Sequence, residues 1–432
     1  MEIPVSFDKE IQMPGTRDPN STAVRITLLA ASSIAIFAGA TLAPALPAIH
    51  ENFNDVPNID LMARLVLTLP ALFIGLLSPF VGLVVDHLGR KRVLVVSILV
   101  GALAGISGFF VETLGLLLAG RAILGIAVAG SMTSATTLIA DYYEGPARSG
   151  FLGLQSGVMG LGGAFVLAVA GIMADISWRT PFLIYIVPFI VLPFVVQILY
   201  EPKLDQCCGE DVAALGDGTA CAGAAAREHQ NFGISTAKKE PIPYGLLTFI
   251  YAAVLVMVVL YFVIPIQLPF YLLEKNQASA TQSGLSVSIS TLCFALSSMF
   301  LAKRMAKLDH ITVLLLGYGL MGIGLLLITV SGGSVIMYPG LISAGVGIGI
   351  AFPNLYVWLA NTAPLAIRGR ALGGMNSALF LGQFMSPIIS QPVVATFDLE
   401  RLFMIAAILI LALVPIIFAS RGWLRVMTAT PA

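Results

Sequence analysis

Twelve times along this chain about 20 residues pass with almost no charge, and each run ends at charge, glycine or proline. The runs lie near 24–49, 61–85, 93–111, 114–140, 149–173 and 180–199, then near 244–270, 282–302, 311–330, 335–360, 371–395 and 400–420. At about 1.5 Å of rise per residue, such a run crosses the roughly 30 Å of bilayer hydrocarbon as one helix. Lipid supplies no water to an open strand edge, so helices are the form these runs must take. Composition agrees: 58% of residues are hydrophobic and 11% charged, with a mean hydropathy of +0.94, whereas soluble domains carry about 25% charged residues. The expectation is an all-α membrane protein.

The polar stretch 201–243 divides the runs six and six. The expected organisation is an N-terminal tail (1–23), a six-helix bundle (24–200), a linker (201–243), a second six-helix bundle (244–420) and a C-terminal tail (421–432). Residues 1–23 are polar and the first apolar run is a full span, so no cleavable leader is expected. Asp141–Gly150 enters one Gly-rich span and Asn361–Arg370 enters another in the same way, with 220 residues separating Arg148 from Arg368. Loops repeating on one side after six spans imply parallel repeats about an axis along the membrane normal. With both termini inside, 18 of the 23 Lys and Arg residues lie on the inner side, so cytoplasmic termini are expected. The other five are Arg64, Arg121, Arg179, Lys275 and Arg401. Formal net charge is +0, which gives no reason to expect a nucleic-acid partner. Cys207, Cys208 and Cys221 with His229 match no standard zinc spacing, so no metal site is expected. No phosphate-cradling loop or nucleophile–base set occurs, and neither enzyme chemistry nor a cofactor is expected.

Between the second and third runs stands Gly82-Leu-Val-Val-Asp86-His-Leu-Gly89-Arg90-Lys91-Arg92. This G-x-x-x-D-x-x-G-R-K-R pattern resembles the signature loop of major facilitator superfamily transporters. Gly120-Arg121-Ala-Ile-Leu-Gly125 likewise resembles the family's R-x-x-x-G on the fourth helix, and Pro44–Pro47 resembles the ending of the first helix in drug exporters. The resemblance implies twelve transmembrane helices in two six-helix bundles, a substrate path between them near mid-membrane, and a place near the bacterial drug:proton antiporters. It implies a proton-coupling role for Arg121. It also implies a cytoplasmic latch around Gly82, Asp86, Gly89, Arg90, Lys91 and Arg92, which Asp141, Arg148, Arg368 and Arg370 could complete. The echo in the second half, at Ala302–Lys307, lacks the Asp and the Gly, so the halves are expected to be latched unequally.

A charged side chain at mid-membrane costs about 2.5–3.5 kcal/mol even on lenient scales and is functional by default. The plainer reading of Arg121 is an arginine that snorkels to the surface or pairs with Glu112 or Asp60. Gly153, Gly157, Gly160, Gly162 and Gly163 permit close helix packing; Val158 stands where family exporters carry proline. Thr133, Tyr251, Gln267, Asn354, Trp358, Asn376 and Gln383 are candidates to line the cavity, although a bond between helices is the commoner role for such residues. No acid lies between Arg25 and Glu51 in the first span, nor obviously inside spans 5 to 12. That disfavours a cationic cargo and suits a neutral, zwitterionic or anionic one, with Arg121 as the lone buried cation. The expected function is proton-coupled efflux of a small organic compound by a monomer in the bacterial cytoplasmic membrane. An importer or metal-ion carrier stays open, as does a receptor or assembly scaffold on the same fold.

Overall fold

Each apolar run folds as a helix, and no strand occurs among the described residues. The computed structural model describes residues 21–201, 244–305, 307–364 and 367–422, apart from the side chains of Ala35, Ala40, Pro79, Asp86, Pro146, Ser149, Ala302 and Lys303. The cysteines and histidine of the expected linker lie outside the described residues. In chain order the helices are α1 (Thr22–Asn52), α2 (Ile59–Leu88), α3 (Arg90–Phe110), α4 (Leu114–Tyr142), α5 (Gly145–Ile176) and α6 (Thr180–Ile198). The second set comprises α7 (Tyr244–Asn276), α8 (Ala280–Met305), α9 (His310–Val330), α10 (Met337–Thr362), α11 (Arg368–Thr396) and α12 (Leu399–Ala419). Twelve described helices are long and apolar enough to cross a membrane. Short turns make successive helices antiparallel, so one face carries the Gly82–Arg92 loop (the basic face) and the other carries the starts of α2 and α8. Large exposed hydrophobics such as Phe110, Phe165, Ile176 and Ile408 lie on the outer surface, where lipid rather than water is the matching solvent.

The first helix of each set is broken, and for one reason. Proline has no N–H and its ring collides with the carbonyl four residues back. The opening segment of α1 ends at Ala40, four residues before Pro44; that of α7 ends at Tyr261, four residues before Pro265. In α1 a short tight turn, Ala43–Ala45, precedes the resumed helix Leu46–Asn52. The Thr41 hydroxyl donates to the Phe37 carbonyl (2.6 Å) beside this break.

Small residues set how closely the helices approach. A Cβ at Gly324 would sit 2.6 Å from the Gly340 carbonyl oxygen, and one at Gly347 2.5 Å from that of Gly317, so α9 and α10 touch backbone to backbone. Gly319, on the same α9, has open space beside it. Overpacking a tight site costs about 1–3 kcal/mol. Gly324→Val is therefore expected to lower the thermal unfolding midpoint of the purified protein, and Gly319→Val to leave it unchanged; equal midpoints would refute the backbone contact.

Candidate functional site

The two halves meet along α5 with α8 and along α2 with α11, and both seams close toward the face opposite the basic loop. On the α5–α8 seam, Gly150 and Gly153 have nothing within 4 Å of a Cβ position. Deeper in, Met299 Sδ lies 3.5 Å from that of Gly157 and Ala295 Cβ 2.6 Å from that of Gly160; at the far end Gly171 meets the Ala280 carbonyl oxygen at 2.8 Å. Gly162 and Gly163 pack on Ile36 of α1. The α2–α11 seam repeats the gradient. Gly82, Gly369 and Gly373 face open space, whereas a Cβ at Gly75 would lie 3.1 Å from Phe380 Cβ and the Gly75 carbonyl accepts from the Ser377 hydroxyl (3.1 Å). The described conformation is thus parted at the basic face and sealed at the opposite one.

Within the Gly82–Arg92 loop, Gly89 ends α2 and starts α3 with φ +94°, a left-handed backbone that other residues rarely adopt. A Cβ there would also stand 2.9 Å from Glu201 Oε1. Glu201 uses that space to accept from the backbone N–H groups of Arg90 (2.6 Å) and Lys91 (2.9 Å), satisfying orphan donors at the positive end of α3. Lys91 Nζ donates to the Val196 carbonyl (2.8 Å), and Arg90 Nε lies 3.2 Å from Asp141 Oδ2. The Tyr142 hydroxyl donates to the Tyr200 carbonyl, with the two rings stacked 4.5 Å apart. All of these bonds join parts of the first half. Arg148, Arg368 and Arg370 form no ion pair among the described residues, and the side chain of Asp86 is outside them. Loss of a helix cap costs about 0.5–2 kcal/mol. Glu201→Ala is expected to lower the unfolding midpoint measured in detergent, and Glu201→Gln, which can still accept, to lower it less; a Gln variant as unstable as the Ala variant would count against capping.

Arg121, about two turns into α4, is 1% exposed, so it does not snorkel. It forms no ion pair with Glu112 or Asp60; Asp60 is engaged by Arg64 and His50. Its Nη1 donates to the Tyr185 hydroxyl (2.9 Å) and its Nη2 to the Gly105 carbonyl (3.4 Å). The guanidinium stands over the rings of Phe182 (4.9 Å) and Tyr185 (5.1 Å), where the electron-rich faces favour a cation. Gly105 and Gly108 of α3 make room for those rings: a Cβ would lie 2.2 and 2.0 Å from them. Tyr185 in turn donates to the Phe37 carbonyl (2.7 Å) at the broken stretch of α1. Arg121 Nε is buried without a partner among the described residues. One buried cation thereby joins α4, α6 and α1.

The expectation of a lone buried cation is corrected: Arg64, counted with the outer flank in the sequence, is 3% exposed. Its Nε donates to Gln267 Oε1 (2.7 Å) across the two halves, and Gln267 Nε2 donates to the Ser390 hydroxyl (2.9 Å). Of the other cavity candidates, Asn354 exchanges bonds with His310, accepting from Nδ1 (2.8 Å) and donating to the carbonyl (2.8 Å). Trp358, 2% exposed, stacks on the same imidazole at 5.6 Å. Tyr251 donates to the Ala371 carbonyl (2.9 Å). Gln383 is buried with Nε2 3.6 Å from a Cβ position on Gly39, facing the other half. Thr133 is half-buried on α4, and Asn376 is exposed. The sequence alone does not mark Tyr185, Phe182, Glu201 or Arg64 as site residues. The glycines at 101, 105 and 108 were a usable signal for the aromatic slot.

The Major Facilitator Superfamily model matches residues 28–265 and again 249–426. Among curated proteins, the tetracycline resistance protein of class H from Pasteurella multocida is 30% identical over 158 residues, 37% of this chain and 38% of that protein. The puromycin resistance protein of Streptomyces alboniger is 29% identical over 164 residues (38% and 32%), and the niacin transporter of Acinetobacter baylyi 30% over 132 (30% and 30%). The alignments thus span about a third of these relatives. Among solved structures, a D-xylose–proton symporter superposes with TM-score 0.70 at 17% identity, over 92% of this chain and 97% of that one. A human organic anion transporter does so with TM-score 0.66 at 17% identity, over 91% and 99%. With both halves matched by one family model and twelve described helices able to span a membrane in the family's arrangement, this integral membrane protein belongs to the Major Facilitator Superfamily.

Proposed function

We propose that this chain is a secondary active transporter that exports a small organic solute by alternating access, driven by protons. The observation that carries the reading is the uneven seam between the halves, parted at the basic face and sealed at the other. Two bundles packed this way can rock about the middle of the seam. Similarity to two resistance proteins favours export, because a transporter protects a cell by removing the compound. The excess of Lys and Arg supports a cytoplasmic basic face in a bacterial inner membrane, and the protein would act as a monomer. On this reading the Gly82–Arg92 loop closes against Arg368–Arg370 when the opposite face opens.

Asp and Glu residues lie at helix ends or beyond them, so the mid-spans offer no carboxylate to a cationic cargo. A neutral, zwitterionic or anionic solute suits the path. Arg121 would act on α1 through Tyr185, not by touching cargo. Removing a charge-assisted bond in a buried site costs about 1.5–3 kcal/mol. In inverted vesicles with an imposed pH gradient, Arg121→Ala is expected to cut gradient-driven accumulation by about tenfold or more while inserting and eluting normally. Unchanged flux would remove Arg121 from the mechanism, and a parent protein that moves nothing across a broad solute panel would overturn proton-coupled transport. Import on the same fold is the second reading. The sign of accumulation on acidifying the vesicle lumen separates the two.

A further inference from the structure

We propose that Arg64, Gln267 and Ser390 form the lock that seals the path at the face opposite the basic loop, and that this lock must break for the opposite-facing state to form. The inference rests on the alternating-access reading above. Three elements meet here: α2 supplies Arg64, α7 supplies Gln267 and α11 supplies Ser390, which are 3%, 0% and 3% exposed. The chain Arg64 Nε to Gln267 Oε1 (2.7 Å), then Gln267 Nε2 to Ser390 Oγ (2.9 Å), crosses from one half to the other. The guanidinium also stands over the Phe270 ring at 4.1 Å, one turn along α7.

On its own half Arg64 is held by Asp60. Nη1 donates to the Asp60 carbonyl and lies 3.8 Å from Asp60 Oδ1, which is also 3.1 Å from His50 Nε2. Parting the halves leaves those bonds whole and strips the cation of Gln267 and Phe270. The contact is therefore one that must change between states, and Arg64 then keeps its counter-charge beside it. Behind it, one turn deeper on α2, Thr68 is 0% exposed with its hydroxyl unpartnered among the described residues. Two further joins cross the shut part of the α5–α8 seam. Asp175 at the end of α5 accepts from the backbone N–H groups of Ala280 (2.6 Å) and Thr281 (3.2 Å) at the start of α8. Ser288 donates to the Ala164 carbonyl (2.7 Å). Those joins run mainly to backbone. The Arg64–Gln267 bond alone among them links two buried side chains across the seam, so side-chain substitution can tune it in both directions.

Thr68→Cys is a reporter behind the lock. The test uses the full chain in nanodiscs, with Cys207, Cys208, Cys221 and Cys293 replaced by serine, and measures the rate of modification by a polar maleimide. Gln267→Ala removes the acceptor and is expected to raise the rate about tenfold. Gln267→Glu sets a carboxylate against the guanidinium and is expected to slow it below the parent. Opposite responses of two variants cannot come from a general loss of folding. Equal rates in all three proteins, or a rise in both variants, would overturn the lock. The measurement needs neither cargo nor gradient. A wrong assignment of solute or coupling ion would appear as absent flux in the parent, with the labelling pattern intact.

Discussion

Inside hydrocarbon a backbone carbonyl has no water to turn to, so every break in a helix must be repaired by the chain itself. The proline break in α1 is repaired in this way. Thr41 and Tyr185 both donate to the Phe37 carbonyl, and Tyr185 is also the acceptor for Arg121. A repair of the first helix thus becomes the seat of a buried cation. The slot for its aromatic partners exists only because α3 carries glycine at 105 and 108. Helix break, glycine stripe and buried arginine are one arrangement, spread over four helices.

The same constraint shapes the seam between the halves. Lipid gives little hydrophobic drive for helices to associate, so packing and interhelical bonds hold them. Glycine and alanine let α5 approach α8 and let α2 approach α11, but only over part of each length. Where the seam is shut, the polar joins across it are few and local: Arg64 with Gln267, Ser377 with Gly75, Ser288 with Ala164 and Asp175 with the start of α8. The loop at the other face is tied within its own half, by Glu201, Asp141 and Val196. That half can consequently move as a body without unwinding the start of α3.

Much of this architecture is legible along the chain, and the reason differs by feature. Span length and count follow from bilayer thickness acting on each segment separately, so the twelve runs were readable one at a time. Arg121 was readable because its neighbours within α4 are apolar. Arg64 was not: it stands one turn inside a span whose start carries Asp60, where charge is ordinary, and its burial is imposed by Phe270 and Gln267 some 200 residues away. Asn354 and Trp358 share a helix face, as their spacing requires, yet that face meets His310 from α9. The pairing of Glu201 with α3 likewise depends on where α6 ends in space, and residue 201 reads in sequence as the edge of a linker.

The sequence by itself determined the class of fold, the number of spans and the repeat of 220 residues. These are consequences of hydrophobic length and of segments that recur along the chain, so they are legible before any tertiary contact is known. Only the tertiary structure decided which polar groups meet. It set Arg121 on Tyr185, Glu201 on the start of α3 and Arg64 on Gln267. Each partner lies 64 to 203 residues away, and in a dry interior the partner a charge finds depends on how closely two helices come together. The loop at Gly82–Arg92 marked the family, and the helix packing around it decided which face of the molecule stands open.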